Sequence, residues 1–322
     1  MFNDLLTRKL SQVTFNEAET LPRVLADIPE SLPGIDVIET LIIDDGSTDG
    51  TTEVARRLGV THIVENTGNI GLARSFQRGL NASLAAGADI IVNTDGDHQY
   101  SGGSIGDLIA PVVDGRADVV VGDRQTAKSE EFSALKRSLQ GLGSSVVRRL
   151  SGLDIADAVS GFRAYSRQAA MGTNVLSTFS YTTETLIQAG RRGLIVTSVP
   201  VETNPSTRPS RLMRSLAGFI LKQVITILRA YVMYRPLRVF GTLAVIMIAI
   251  GLVPILRFLY FYAIGQGDGH VQSLILGTMF FSLGYLTFVV ALLSDVTASN
   301  RLLLESALER VRRIELGDTD TE

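Results

Sequence analysis

Short apolar runs punctuate the first part of the chain at residues 37–44, 61–65, 88–94 and 117–122, each closed by glycine, asparagine or aspartate. Most are apolar at successive rather than alternate positions, which predicts strands buried on both faces. The stretches that follow Asp49, Ile70 and Gly103 read as helices. This alternation predicts an α/β domain with a mostly parallel sheet, whose functional groups gather at the carboxyl ends of the strands.

The pattern then changes. Residues 239–256 carry no charge, Arg257 precedes a further apolar-aromatic run at 258–264, and 273–294 is a second uncharged run. Each approaches the ~20 residues that a helix needs to cross the hydrocarbon core, so a two-helix transmembrane hairpin is expected. Arg257 would snorkel or face a protein partner. Two amphipathic segments are expected to lie in the membrane plane. One spans 132–150, with Phe132, Leu135, Leu139, Leu142, Val146 and Leu150 at helical spacing; the other lies between Ser210 and Tyr234. A pair of ordinary surface helices is the competing reading of both. The expected organisation is therefore a catalytic domain over 1–206, an interfacial helix over 207–236, two spans within 237–298 and a tail over 299–322.

Composition and charge sharpen this picture. The chain has 322 residues, 45% of them hydrophobic, and a positive mean hydropathy, more apolar than a soluble domain usually is. It has no cysteine, which excludes disulfides and thiolate-bound metals and suits a reducing compartment. The net charge of −3 hides a basic belt, in which Arg208, Arg211, Arg214, Lys222, Arg229, Arg235 and Arg238 occur without an acidic residue between 204 and 238. Because that belt runs into apolar segments, anionic membrane lipids are its expected partner and nucleic acid is not. The connector 265–270 has no Lys or Arg, whereas arginines precede the first span and follow the second. Both termini and the catalytic domain are accordingly expected on the cytoplasmic side of the cell membrane. No cleavable signal peptide is expected, since Met1–Arg8 lacks an apolar segment.

The chemistry concentrates after the run at 88–94, in Asn93-Thr94-Asp95-Gly96-Asp97-His98-Gln99. Asp95 and Asp97, with the amide oxygen of Gln99, can turn three oxygen ligands toward one Mg2+ or Mn2+ ion. Such an ion would neutralise a departing pyrophosphate. Asp44-Asp45-Gly46-Ser47 closes an earlier strand; part of it is turn chemistry, and Asp45 suits a hydrogen bond from a nucleotide base or ribose. Gly102-Gly103-Ser104-Ile105-Gly106 matches a nucleophile elbow, but the only later histidine is His270, so a Ser-His triad is excluded.

Asn16-Glu17, Asp44-Asp45-Gly46-Ser47, Gly68-Asn69-Ile70-Gly71-Leu72-Ala73, Asp95-Gly96-Asp97 with Gln99, Gly122-Asp123-Arg124 and Ser160-Gly161-Phe162-Arg163-Ala164-Tyr165 occur in that order. Together they resemble the family 2 glycosyltransferases of GT-A fold, in the dolichyl- and polyprenyl-phosphate mannosyl- and glucosyltransferase branch. The resemblance spans about residues 13–238, and the two apolar runs resemble the C-terminal spans of some members. It implies inverting transfer of a hexose from a nucleotide-diphosphate sugar, of GDP-mannose or UDP-glucose type, to polyprenyl phosphate. Glu17, Asp45 and Asp95 would bind the donor; Asp95, Asp97 and Gln99 the metal; Arg124 and Arg137, joined by the basic-belt residues Arg208 and Arg211, the acceptor phosphate. Asp97 and Arg124 would carry catalysis. The chain departs from the family in that residues 9–15 read Lys-Leu-Ser-Gln-Val-Thr-Phe where a strongly apolar first strand and a proline before the aromatic-Asn-Glu motif are usual, and in having Gly141 where a serine is expected. Transfer to another lipid or glycan hydroxyl, or a non-catalytic nucleotide-sugar-binding scaffold, are the alternatives. The sequence is neutral on oligomeric state and compatible with a homo-oligomer.

Overall fold

A computed structural model describes residues 7–14, 17–125, 148, 151–175, 181–204, 232–233 and 235–318. The expected interfacial segment 132–150 falls outside these residues except at Arg148, as does 207–236 except at 232–233 and 235–236, and with them Arg137, Arg208 and Arg211. The chain divides into two compact units, one formed by Met1–Leu221 with Leu308–Glu322 and the other by Lys222–Ala307.

The first unit is built on a seven-stranded sheet ordered β3-β2-β1-β4-β6-β5-β7. Its strands are β1 (Thr7–Thr14), β2 (Val37–Asp44), β3 (His62–Glu65), β4 (Ile90–Asp95), β5 (Val119–Asp123), β6 (Arg163–Ser166) and β7 (Val196–Pro200). All pairings are parallel except those that β6 makes with β4 and β5. The carboxyl ends of β1, β2, β4, β5 and β7 therefore share one edge with the amino end of β6, and that edge carries the site. β1 was not legible as a strand, yet it lies between β2 and β4, paired to both along its length.

Alternation along the strands feeds two apolar layers. Ile90, Val92, Val120 and Ala164 pack on one face against Ile105, Leu108, Ile109 and Val112 of α4 (Ile105–Val113). Ile91, Val119 and Tyr165 face the other way, onto Phe76, Leu80 and Leu84 of α3 (Leu72–Ala85). Helix α3 keeps a wet face for Arg74 and Arg78 and buries Ala73, Phe76, Leu80 and Leu84 at i, i+3, i+7 and i+11, the stripe that sheet packing selects. Smaller helices α1 (Leu21–Ala26) and α2 (Thr51–Arg57) cover the β2 end. α5 (Arg167–Gly172) and α6 (Thr182–Arg191) complete the second layer.

Both apolar runs form helices, α7 (Pro236–Ala263) and α8 (Val271–Glu315), long and apolar enough to cross a membrane. Arg257 does not divide the first, and its guanidinium sits 5.9 Å from the Phe261 ring centroid. The hairpin packs through small residues: Ala244 and Gly251 on α7, and Gly277, Gly284 and Ala291 on α8. A Cβ on Gly251 would lie 2.7 Å from the Gly277 carbonyl oxygen, and one on Gly284 3.0 Å from that of Ala244. Large residues such as Val253, Tyr260, Ile275 and Leu293 are left exposed outward, as a lipid-facing surface requires. Helix α8 does not stop where its apolar run stops. It continues to Glu315, so most of the expected tail is helical. Within the first unit, Arg312 donates to the carbonyls of Met171 and Thr173, and Glu309 pairs with Arg192 and Arg313.

Candidate active site

Asp95 is the last residue of β4 and Asp97 follows in the turn beyond it. The turn is held locally: Asp97 Oδ1 accepts from the Gln99 amide at 3.1 Å, and His98 adopts φ 58° to allow it. Thr20 ties this turn to the β1 end, donating to the Gly96 carbonyl at 2.7 Å and to Glu17 Oε2 at 2.9 Å. Glu17 is thus brought to the Asp95–Asp97 turn. Gln99 is part-buried beside them, and its carbonyl accepts from the Asn204 amide at 2.9 Å.

Asp95 sits in a demanding electrostatic position. Burial, then the Asp97 carboxylate and also Glu17, push its carboxyl up from 3.8 to about 6, against the opposing charges of Arg124 and Arg163. A buried carboxylate pushed up by a neighbouring carboxylate is a natural seat for a divalent cation, whose charge relieves the repulsion. Among the described residues no three His, Asp or Glu side chains form a closed metal cage. Asp95 and Asp97 alone would supply fixed charge, with the remaining positions open toward substrate. That donor set fits Mg2+ or Mn2+, which binds through one or two carboxylates and substrate phosphates.

The chain before β6 closes over Asp95. Asn93 donates to the Gly161 carbonyl at 2.8 Å and to the Tyr181 hydroxyl at 2.9 Å, while Tyr181 stacks on Phe76 with ring centroids 3.9 Å apart. The Gly161 amide donates to the Tyr100 hydroxyl at 3.3 Å. A Cβ at position 161 would lie 2.9 and 3.0 Å from the two Asp95 carboxylate oxygens and 3.0 Å from the Tyr181 hydroxyl. Glycine is needed there for close approach, not for an unusual backbone angle.

Arg124 follows β5 on the same edge. It lies side-on to Asp157, with Nε to Oδ2 at 2.7 Å and Nη2 to Oδ1 at 3.0 Å, and both side chains are largely buried. Arg163 is fully buried. Its guanidinium donates to the carbonyls of Ser160, Ala158 and Thr182 and to the Thr185 hydroxyl, which engages four of its five N–H groups.

Asp45 is engaged by donors of the chain itself. Its carboxylate accepts from Asn66 Nδ2, the Ile70 and Gly71 amides and Ser75 Oγ, all between 2.8 and 3.1 Å. These bonds anchor the 68–71 loop and the start of α3. Asp44 likewise serves its own turn, accepting from the Ser47 amide at 2.8 Å and from Thr52.

A model described as glycosyl transferase family 2 matches residues 13–172. The dolichyl-phosphate hexose transferase of Haloferax volcanii is 30% identical over 188 residues, which cover 58% of this chain and 78% of the relative. The chain belongs to glycosyl transferase family 2. It is a glycosyltransferase. Glycosyltransferase AglJ of Haloferax volcanii is 28% identical over 313 residues, 94% of this chain and 95% of the relative, so that likeness extends through both apolar helices. Glucosyl-3-phosphoglycerate synthase from Mycobacterium tuberculosis, solved with Mn2+, UDP and phosphoglyceric acid, superposes with a TM-score of 0.53 at 21% identity, covering 70% of this chain and 78% of that one. This places the catalytic unit of the transferase in the GT-A fold.

Several residues of the transferase's site were not singled out from sequence. Asp157 is one; its signal was an acid isolated among Ile155, Ala156, Ala158 and Val159 just before the glycine motif. Tyr100 and Tyr181 are others, and a lone tyrosine in a sequence carries no comparable signal. Burial pushes the Tyr100 hydroxyl up to about 12, so it remains protonated and can donate as well as accept.

Proposed function

We propose that the transferase moves a hexose, with inversion, from a nucleoside-diphosphate sugar to polyprenyl phosphate at the cytoplasmic face of the membrane. A phosphate oxygen of the acceptor attacks the anomeric carbon, the bond from that carbon to the donor's diphosphate breaks, and the diphosphate leaves with the electron pair. A phosphate monoester is largely a dianion at neutral pH, so no strong base is required to generate the nucleophile. What the protein must supply is charge and position.

One juxtaposition carries this reading: a guanidinium, Arg124, follows β5 on the sheet edge where β4 ends in Asp95, and it lies within electrostatic reach of that carboxylate. A carboxylate pair suits a metal-bound diphosphate, and a guanidinium suits an anionic acceptor. Asp95 and Asp97, with Gln99, would hold Mg2+ or Mn2+, which neutralises charge on the leaving diphosphate. Glu17 would bind the nucleotide portion. Arg137, Arg208 and Arg211 would add cationic contacts at the lipid surface. Two membrane-length helices and relatives that include a dolichyl-phosphate hexose transferase support a lipid-linked acceptor.

The deciding experiment incubates the purified full chain with polyprenyl phosphate, Mn2+ and a panel of labelled UDP- and GDP-hexoses. One organic-extractable glycolipid that forms only with metal is the expected product. Transfer to diacylglycerol or a glycan, with none to polyprenyl phosphate, would refute the acceptor assignment. For topology, cysteines introduced as Gly267→Cys and Gly317→Cys should label from opposite sides of the membrane, and labelling from one side refutes the hairpin arrangement.

A further inference from the structure

We propose that Asp157 is a positioning residue for acceptor recognition, acting through Arg124; the inference rests on the acceptor reading above. The geometry is specific. Asp157 takes the Nε proton and one Nη2 proton of Arg124 in a side-on fork. A guanidinium has five N–H donors, so three remain, and two of these lie parallel on the outer Nη1/Nη2 edge. That edge matches two oxygens of a phosphate. An arginine side chain carries considerable rotamer freedom; a carboxylate that fixes one edge of the guanidinium presets the direction of the other.

Asp157 is itself firmly held. Its side chain is 3% exposed, and its carbonyl accepts from the Ser160 amide at 3.3 Å. The carbonyls of Ala158 and Ser160 are both bound by the buried Arg163, which in turn grips α6 through Thr182 and Thr185. A continuous chain of contacts therefore runs from α6 through Arg163 and the 157–160 turn to Arg124. It joins the amino end of β6 to the carboxyl end of β5, two strands paired antiparallel. A bidentate carboxylate also keeps the guanidinium off Asp95, the other carboxylate whose charge it feels. Without Asp157, the guanidinium would be free to turn toward Asp95 and would lose its preset aim at the acceptor.

The test measures apparent KM for polyprenyl phosphate and for the nucleotide sugar separately, in full-length protein. Asp157→Asn should raise KM for polyprenyl phosphate by about tenfold or more, the loss expected when one charged hydrogen bond is misplaced, while donor KM stays within about twofold at saturating metal. In the Arg124→Ala background, Asp157→Asn should add nothing further, since its effect passes through the missing guanidinium. Arg124→Lys, which keeps the charge but cannot form the fork, should resemble Asp157→Asn, and it keeps the idea testable if the Asp157 variant does not fold. Multiplicative losses in the double variant, equal losses for both substrates, or normal acceptor affinity in Arg124→Lys each overturn the positioning role. A distinct result marks failure of the underlying reading: Arg124→Ala that leaves acceptor use unchanged shows that Arg124 does not meet the acceptor at all.

Discussion

Gly161→Ala is a small substitution with a large expected consequence. The added methyl would sit 2.9 and 3.0 Å from the Asp95 oxygens, whereas an ordinary carbon–oxygen contact is about 3.3–3.6 Å. Retreat is blocked on the other side by the Tyr181 hydroxyl at 3.0 Å, pinned by Asn93 and the Phe76 stack. The Asp95 carboxylate must therefore yield, by about half an ångström. Mg2+ demands nearly ideal octahedral geometry, and misplacement on the scale of 1 Å can cost about a hundredfold in rate. We expect kcat/KM to fall about ten- to a hundredfold and the Mn2+ concentration for half-maximal rate to rise about tenfold. Stability should fall by about 1–2 kcal/mol, because overpacking of about 1–3 kcal/mol is only partly offset by the ~0.4–1 kcal/mol that alanine removes from unfolded-chain entropy. Initial rates across a Mn2+ titration, together with melting curves with and without nucleoside diphosphate, measure both quantities. Wild-type turnover at wild-type metal dependence in a folded Gly161→Ala protein would refute the assignment of Asp95 to the metal.

Other expectations follow from the same geometry. With metal removed, the raised Asp95 carboxyl favours the fold when protonated, so its contribution is full below its ordinary value of 3.8 and is lost as pH rises through about 6. The shift corresponds to about 3 kcal/mol, reduced to roughly 1–2 kcal/mol by water at a carboxyl that is not fully enclosed; Asp95→Asn should flatten the melting temperature of the metal-free protein across that window, and an unchanged slope refutes the assignment. Asp45→Ala strands four donors at the start of α3 and should destabilise by about 2–4 kcal/mol. Lost nucleotide affinity at unchanged stability would instead put Asp45 on the donor. In the hairpin, Gly277→Leu meets the Gly251 carbonyl at 2.7 Å, whereas Gly241→Leu meets open space; only the first should speed irreversible inactivation in detergent, and equal behaviour would refute the packing seam.

What was legible followed from continuous burial. β2 and β4 announce themselves because parallel strands covered on both faces are apolar at successive positions, and the acids that end them could be placed on one edge from topology alone. β1 did not, because Thr7-Arg8-Lys9-Leu10-Ser11-Gln12-Val13-Thr14 lacks that signature; its place is set by ladders to strands 30 and more residues away. β6 is shorter still and opens with Arg163, whose burial depends on carbonyls of its own turn and of a later helix. No local pattern reports such a partner. Asp95, Asp97 and Arg124 were legible as chemistry at strand ends, and Glu17 through the resemblance. The Asp157–Arg124 fork joins residues 33 positions apart, a pairing made by the fold and signalled by no local pattern. Asp45 shows the converse: a strand-end acid that looks available for ligand is engaged by the protein's own donors.

The small residues of the hairpin recur every seven positions, at 244 and 251 on α7 and at 277, 284 and 291 on α8. Seven residues make nearly two full turns, and the remaining drift of about 20° per repeat gives a left-handed wrap. Inserting one residue within either helix would rotate everything beyond it by about 100°, turning glycine toward lipid and a leucine or phenylalanine toward the neighbouring backbone. Sequence length is therefore constrained unevenly. The connector 264–270 can grow or shrink without disturbing the seam, while the helices between their glycines admit only insertions that make nearly whole turns, such as seven or eleven residues. Refitting this anchor to a thicker bilayer would mean adding residues beyond the outermost small positions, never between them.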